Sequence, residues 1–301
     1  NLINIDVCPI QHDIINKVTE LTRKSIQTYN IPVYNENTHK GIIRHVVTKV
    51  GFRNNQVMII IVTNGELPRK KELVSILREG LPEVTSIVQN YQTEKTNVIL
   101  GKEYKTLWGS DYIVDVIEDL KFKISPLSFY QVNPIQTEKL YQKALEYAAL
   151  TGKETVIDAY CGIGTISLFL ARKAAKVYGV EVVPQAIEDA KENAKINGID
   201  NAEFITGESE VIIPRLSKLG INADIVVVDP PRKGCDEKLL YSISEMYPER
   251  IVYVSCNPAT LARDLKYLIG HGYKVEEVQP VDMFPQTKHV ECVTLMSRVK
   301  E

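Results

Sequence analysis

Two hydrophobic rhythms divide this chain. Between residues 11 and 30, Ile14, Ile15, Val18, Leu21 and Ile26 recur at helical spacing and stop before Pro32, which predicts an amphipathic helix. GIIRHVVTKVGF and QVMIIIVTN follow as β-rich runs separated by Arg53, Asn54 and Asn55, a predicted hairpin. KKELVSILREGLP reads as a second helix, and TSIVQNYQ, TNVILG, YIVDVI and LKFKIS as further strands. Residues 1–124 are therefore expected to form a small α+β domain.

From residue 135 the pattern becomes an alternation of strand and helix, the signal for a parallel sheet covered on both faces. The predicted strands are TVIDAY, KVYGVEV, AEFIT, ADIVVVDPP, RIVYVSC, YKVEEVQPVDMF and VECVTLM. Only PQTKH separates the last two, too short for a crossover helix, so the seventh must run antiparallel to the sixth. An α/β sheet of seven strands, parallel with an antiparallel last strand, is the outline of an S-adenosylmethionine-dependent methyltransferase. Residues 125–301 are expected to be that catalytic domain.

Composition narrows the partners. At 301 residues the chain can bury two cores, and a net charge of -2 gives no overall basic signature, so a nucleic acid would have to meet a local patch. Lysines and arginines do cluster at Arg44, Lys49, Arg53, Arg69, Lys70 and Lys71, although a solvated face accounts for such a cluster equally well. The five cysteines show no C-x-x-C pair and no zinc spacing, and neither a secretory leader nor a long apolar span is legible, so a cytoplasmic location is expected. The sequence begins at Asn1 rather than Met, within the predicted strand LINIDV, so either a fragment or a start lying before Asn1 is expected.

Candidate chemistry gathers at strand ends. In RIVYVSCNPATLARDL an apolar strand runs into Cys256, and Asn257 and Pro258 then open a helix as N-cap and first helical residue. A cysteine beside a helix N-terminus is expected to favour the thiolate, the nucleophilic form, whereas an isolated cysteine at a strand end is more often inert core. DAYCGIGTISLFLA is a strand, a glycine turn and a helix; Gly162 and Gly164 permit close backbone approach to a ligand. A nicotinamide enzyme would share that turn, but Ser167 stands where its third glycine would be. Glu181 ends the next strand, where a carboxylate can accept ribose hydroxyls. DPPRKG places Asp229 at the same sheet edge, with two prolines stiffening a loop that can meet a planar base. Enzymes that methylate an amino group also carry D-P-P, but they have no need of a nucleophilic cysteine.

With SPLSFYQVNPIQ, DAYCGIGT, DPPRKGCD, VYVSCNPATLARDL and DMFPQTKHVECV in this order over most of residues 125–301, the chain resembles the bacterial RNA (uracil-5-)-methyltransferases, notably those acting on 23S ribosomal RNA. The first 124 residues match only in general character. The resemblance implies that Cys256 is the nucleophile, Glu291 the proton acceptor, and Gln131, Tyr160, Glu181 and Asp229 the pocket for S-adenosyl-L-methionine, with Phe129 near the target base. It also implies an RNA partner, ribosomal rather than transfer RNA. Family members usually add an RNA-binding β-barrel, and many hold an iron-sulfur cluster on four cysteines. Only Cys8, in VCPIQH, resembles one of those four, so this chain alone is expected to build neither cluster nor barrel.

The chemistry explains the residue types independently. Uracil C5 is a poor nucleophile; addition of a thiolate to C6 makes C5 an enolate carbon that can take a methyl group. A base must then remove the C5 proton so that the thiolate can leave. Because the last strand is antiparallel, Glu291 at its start is expected to lie at the edge where Cys256 ends its own strand. His289 and Cys292 beside it are expected to be structural. Cys161 and Cys235 fall in nearby loops, but the place of the second cysteine of cytosine-5 RNA enzymes is held by Arg232. Two other readings stand beside this one: the same reaction on transfer RNA, and an RNA-binding or folding module with little methylation of its own.

Overall fold

In the computed structural model, which describes residues 5–299, the first amphipathic run forms helix α1 (Asp13–Thr28), with Ile14 and Val18 in the core. Of LINIDV, residues 2–4 lie outside the described residues and residues 5–7 form no strand. Strands β1 (Ile43–Val50) and β2 (Val57–Thr63) make the predicted antiparallel hairpin, and the Gly51 N–H donates to Gln56 O across its turn. Helix α2 (Lys70–Gly80) is the crossover that lets β3 (Val84–Tyr91) run parallel to β2, and β4 (Glu103–Gly109) pairs antiparallel with β3. The resulting order is β1-β2-β3-β4. Ile59 and Ile61 of β2 pack with Leu73 and Leu77 of α2 and with Val18 of α1 in one apolar core.

TNVILG is not the strand its apolar residues suggest. Polar side chains hold this stretch as a loop: the Arg44 guanidinium donates to the carbonyls of Gln92, Glu94 and Thr96, Asn90 Nδ2 to those of Gly101 and Glu103, and Gln92 Nε2 to that of Val98. With carbonyls so engaged the segment joins no ladder, and Val98 and Ile99 remain exposed. The strand that does form, EYKTLWG, has no buried position, so its hydrophobic pattern was silent. The same bonds change the reading of the basic cluster. Arg44 is 1% exposed at its side chain and lies 4.4 Å over the Tyr34 ring, so it serves the fold; Arg69 and Lys70 pair with Glu72 and Glu66.

Strands β5 (Ile113–Ile117) and β6 (Leu120–Ile124) form a separate two-stranded ladder. The chain divides into two compact units there: one runs through Val116 and takes in Lys123–Leu127, the other comprises Ile117–Phe122 and everything described from Ser128 onward.

The second unit contains α3 (Pro134–Ala148), β7 (Thr155–Asp158), α4 (Thr165–Ala171), β8 (Lys176–Glu181), α5 (Pro184–Ile196), β9 (Ala202–Thr206) and α6 (Ser209–Lys218). It continues with β10 (Ile225–Val228), α7 (Glu237–Met246), β11 (Arg250–Ser255), α8 (Pro258–Ile269), β12 (Tyr273–Val281) and β13 (Glu291–Arg298). All seven predicted strands join one sheet, in the order β12-β13-β11-β10-β7-β8-β9. Alternation along the central strands feeds two cores, Ile225, Val227, Val252 and Val254 into one and Val226, Val228, Ile251 and Tyr253 into the other. The antiparallel strand is last in sequence but second in the sheet: β13 lies between β11 and β12 and is antiparallel to both. Among the described residues no helix is long and apolar enough to cross a membrane.

Candidate active site

Strand register brings the chemistry together. Ser255 pairs with Cys292, so the residue after one and the residue before the other, Cys256 and Glu291, meet at a single sheet edge. Asp158 ends β7 opposite Val227 of β10, and Asp229 follows one residue beyond that strand. These ends open on a cleft of about 670 Å³ whose wall includes Gln131, Tyr160, Glu181, Asp229, Cys256 and Glu291, together with Phe129 and Tyr130. Phe129 is 74% exposed there, while Tyr130 is half-buried against the sheet core.

Local sequence explains each placement. Gly162 and Gly164 both adopt left-handed φ, 54° and 83°, and a Cβ on Gly164 would meet Phe204 at 3.1 Å and Ala190 at 3.2 Å, so the turn into α4 closes only with glycine. Ser167, where a third glycine was missing, donates its hydroxyl to buried Asp158 at 2.6 Å. Glu181 accepts the Val183 N–H at Oε1, 2.9 Å, and its Oε2 has no protein donor among the described residues. Asn257 caps α8 by accepting from the Ala259 N–H at 3.1 Å, with Pro258 in the first turn.

The electrostatics depart from expectation at Cys256. Burial raises its thiol above the ordinary value, and Glu291 and Asp229 raise it further, while Arg232 pulls it down. A helix N-terminus carries only about half an elementary charge, too little to outweigh two carboxylates in a partly desolvated site. Glu291 is only 4% exposed with no hydrogen-bond donor among the described residues, and burial raises it against the pull of the same Arg232. Burial, then Glu291 and Asp158, pushes Asp229 up to about 7. Asp158 rises to about 6, burial again first, despite the Ser167 bond. Arg232, which the sequence marked only as a cysteine's replacement, is thus the cation that acts on both Cys256 and Glu291.

Raised carboxyls have a consequence for stability. Between the unfolded value of about 4 and a folded value of about 7 the folded protein binds more protons at Asp229 than the unfolded chain, so stability present at low pH is lost as pH rises through 7. Asp229→Asn is expected to match the parent in urea unfolding at pH 4. At pH 8 it should exceed the parent by about 2 kcal/mol, roughly half the full shift because water reaches the open cleft. Equal stabilities at pH 8 would remove Asp229 from the buried-carboxyl account.

The neighbouring groups sort themselves by burial. Cys292 packs in the core, as expected of a structural residue, and Cys161 and Cys235 are buried thiols whose desolvation raises them, Cys235 to about 12. His289 lies in the cleft wall, its ring edge-on to Phe284 at 6.2 Å.

The sheet order, with its ligand-sized cleft at the carboxyl edge, is that of the S-adenosylmethionine-dependent methyltransferase fold. Residues 70–299 match the family described as tRNA (Uracil-5-)-methyltransferase, and the chain belongs to that family. It is 57% identical over 302 residues to an uncharacterized RNA methyltransferase of Bacillus cereus and 56% identical over 298 residues to one of Clostridium tetani. These alignments cover 100% and 99% of this chain but 66% and 65% of those proteins, so the chain spans just under two thirds of their length. Among solved structures, the Pyrococcus abyssi tRNA (uracil-54, C5)-methyltransferase in complex with S-adenosyl-L-homocysteine superposes with a TM-score of 0.81 at 31% identity, over 98% of this chain and 70% of that one.

Proposed function

We propose that this chain transfers a methyl group from S-adenosyl-L-methionine to C5 of a uridine in RNA. The observation that carries the reading is the meeting of Cys256 and Glu291 in one cleft at the ends of paired strands. The Cys256 thiolate adds to C6, which places the electron pair at C5. C5 takes the methyl group of the sulfonium donor as the donor's S–CH3 bond breaks, and the thioether S-adenosyl-L-homocysteine leaves. Glu291 then accepts the C5 proton, the C5–C6 double bond re-forms, and the Cys256–C6 bond breaks to return the thiolate. A target base must leave its stack for this, since it receives thiol and methyl group on opposite faces, and Phe129, exposed in the cleft wall, would stack on it.

The cleft fits the donor. Asp158, Glu181, Asp229 and Glu291 line it against a cationic sulfonium, and Gly162 presents bare backbone. Glu181 would accept the ribose hydroxyls, with Gln131 and Tyr160 beside the donor. Glu181→Ala is expected to leave the fold intact and weaken donor binding by roughly 1–3 kcal/mol for two lost hydroxyl bonds, about 5- to 150-fold in Kd. Calorimetry checks this, and an unchanged Kd would take Glu181 out of the donor site.

Ribosomal RNA is the acceptor that the five sequence motifs support. Transfer RNA is the second reading, favoured by the substrate named for the Pyrococcus abyssi enzyme. Incubation with methyl-labelled donor and separate ribosomal and transfer RNA pools decides between them. Label at C5 of uridine in one pool identifies the acceptor, and label in neither sinks the proposal.

A further inference from the structure

A polar stripe runs down the first turns of α8. Asn257, Thr260, Arg263 and Asp264 recur at three-to-four spacing, and all four engage one loop, residues 229–235. Asn257 Nδ2 and Thr260 Oγ1 donate to Arg232 O at 3.0 and 3.2 Å. Arg263 Nη2 donates to Lys233 O at 2.9 Å and to Cys235 O at 3.3 Å. The Cys235 N–H donates to Asp264 Oδ2 at 2.8 Å. Asp264, 1% exposed, also accepts from the Tyr253 hydroxyl of β11 at 2.6 Å and from Arg263 Nε at 2.8 Å. A buried carboxylate thus holds an arginine that holds the loop. The fit is close: Gly234 has φ +79°, and a Cβ there would lie 2.5 Å from Arg263 Nη2 and 2.6 Å from Asp264 Oδ2.

We infer that Arg263 and Asp264 are positioning residues for Cys256: they clamp the 229–235 loop to the helix that begins beside that cysteine, and so fix the backbone of Arg232, which lines the same cleft as the thiol. The reason for a clamp is energetic. Arg232 is exposed, and an exposed arginine on a mobile loop spends its charge on water, contributing little to any one partner. Anchored at its own carbonyl and at those of Lys233 and Cys235, it opposes Glu291 and Asp229, the two carboxylates that also act on Cys256. The inference rests on the reading of Cys256 as nucleophile, but its test reads the thiol itself and needs neither RNA nor methyl donor.

The rate of alkylation of Cys256 by iodoacetamide, followed by mass spectrometry of its peptide across pH, reports the thiolate. Arg263→Met is expected to move the profile to higher pH and slow alkylation at pH 8 by about two- to fivefold, the contribution of a partly exposed charge pair. Arg232→Met should give the same change, and the double variant should be no slower than Arg232→Met alone, because Arg263 acts through Arg232. Asp264→Asn is the second route: its amide oxygen keeps the Cys235 and Tyr253 bonds while its NH2 faces and releases Arg263, and the same upward move is expected. Parent profiles in Arg263→Met and Asp264→Asn, or a double variant slower than Arg232→Met by the full Arg263 factor, would overturn the assignment.

Discussion

Cys256→Ala is expected to hold methylation below about one-thousandth of the parent rate, because without addition at C6 no electron pair is available at C5. Donor binding should survive, since Glu181, Gln131 and the Gly162 turn do not depend on the thiol. The measurement is methyl transfer to the RNA pool that the parent labels, with donor affinity as control. Normal turnover in this variant would return Cys256 to the role of a half-buried core thiol and remove the mechanism with it.

Glu291→Gln is expected to slow turnover by about 10²–10⁴, and the lost activity should be found as a product. Attack and methyl transfer remain possible, proton removal does not, and the RNA stays bonded to Cys256. The electrostatics favour accumulation: the charge of Glu291 raises the Cys256 thiol, so its neutral replacement eases formation of the thiolate. On a denaturing gel the adduct should carry label from the donor methyl and vanish when Cys256→Ala is added. An adduct without label would mean that Glu291 is needed before methyl transfer and that another group takes the proton.

What the sequence made legible follows physical lines. The strands β7, β10, β11 and β13 were readable because their buried runs are apolar without helical period, and the candidate site because its residues stand at the ends of such runs. PQTKH announced the antiparallel pairing by its length alone, yet no local signal told that β13 would enter between β11 and β12. TNVILG misled because hydrogen bonds from Arg44, Asn90 and Gln92, remote from it or polar in themselves, decide its backbone. Cys256 misled in another way: the helix start was visible at Asn257–Pro258, but the opposing carboxylates arrive from two other strands. His289 was readable only as a neighbour of Glu291. The Asn257, Thr260, Arg263, Asp264 stripe did leave a trace, polar residues three to four apart in an otherwise amphipathic helix.

The insertion of β13 also sets an order of events in folding. β12 reaches the sheet only through β13, and β11 has β13 as its neighbour on that side. Until β13 is made and pairs, β11 is an open edge of apolar residues, and β12 has no ladder to join. Synthesis therefore delivers Cys256 at the end of an unprotected strand before the strand that begins at Glu291. The sheet completes its edge and brings Cys256 beside Glu291 in one step, so a chain stalled before residue 291 would lack the proposed pair and be prone to edge-to-edge association.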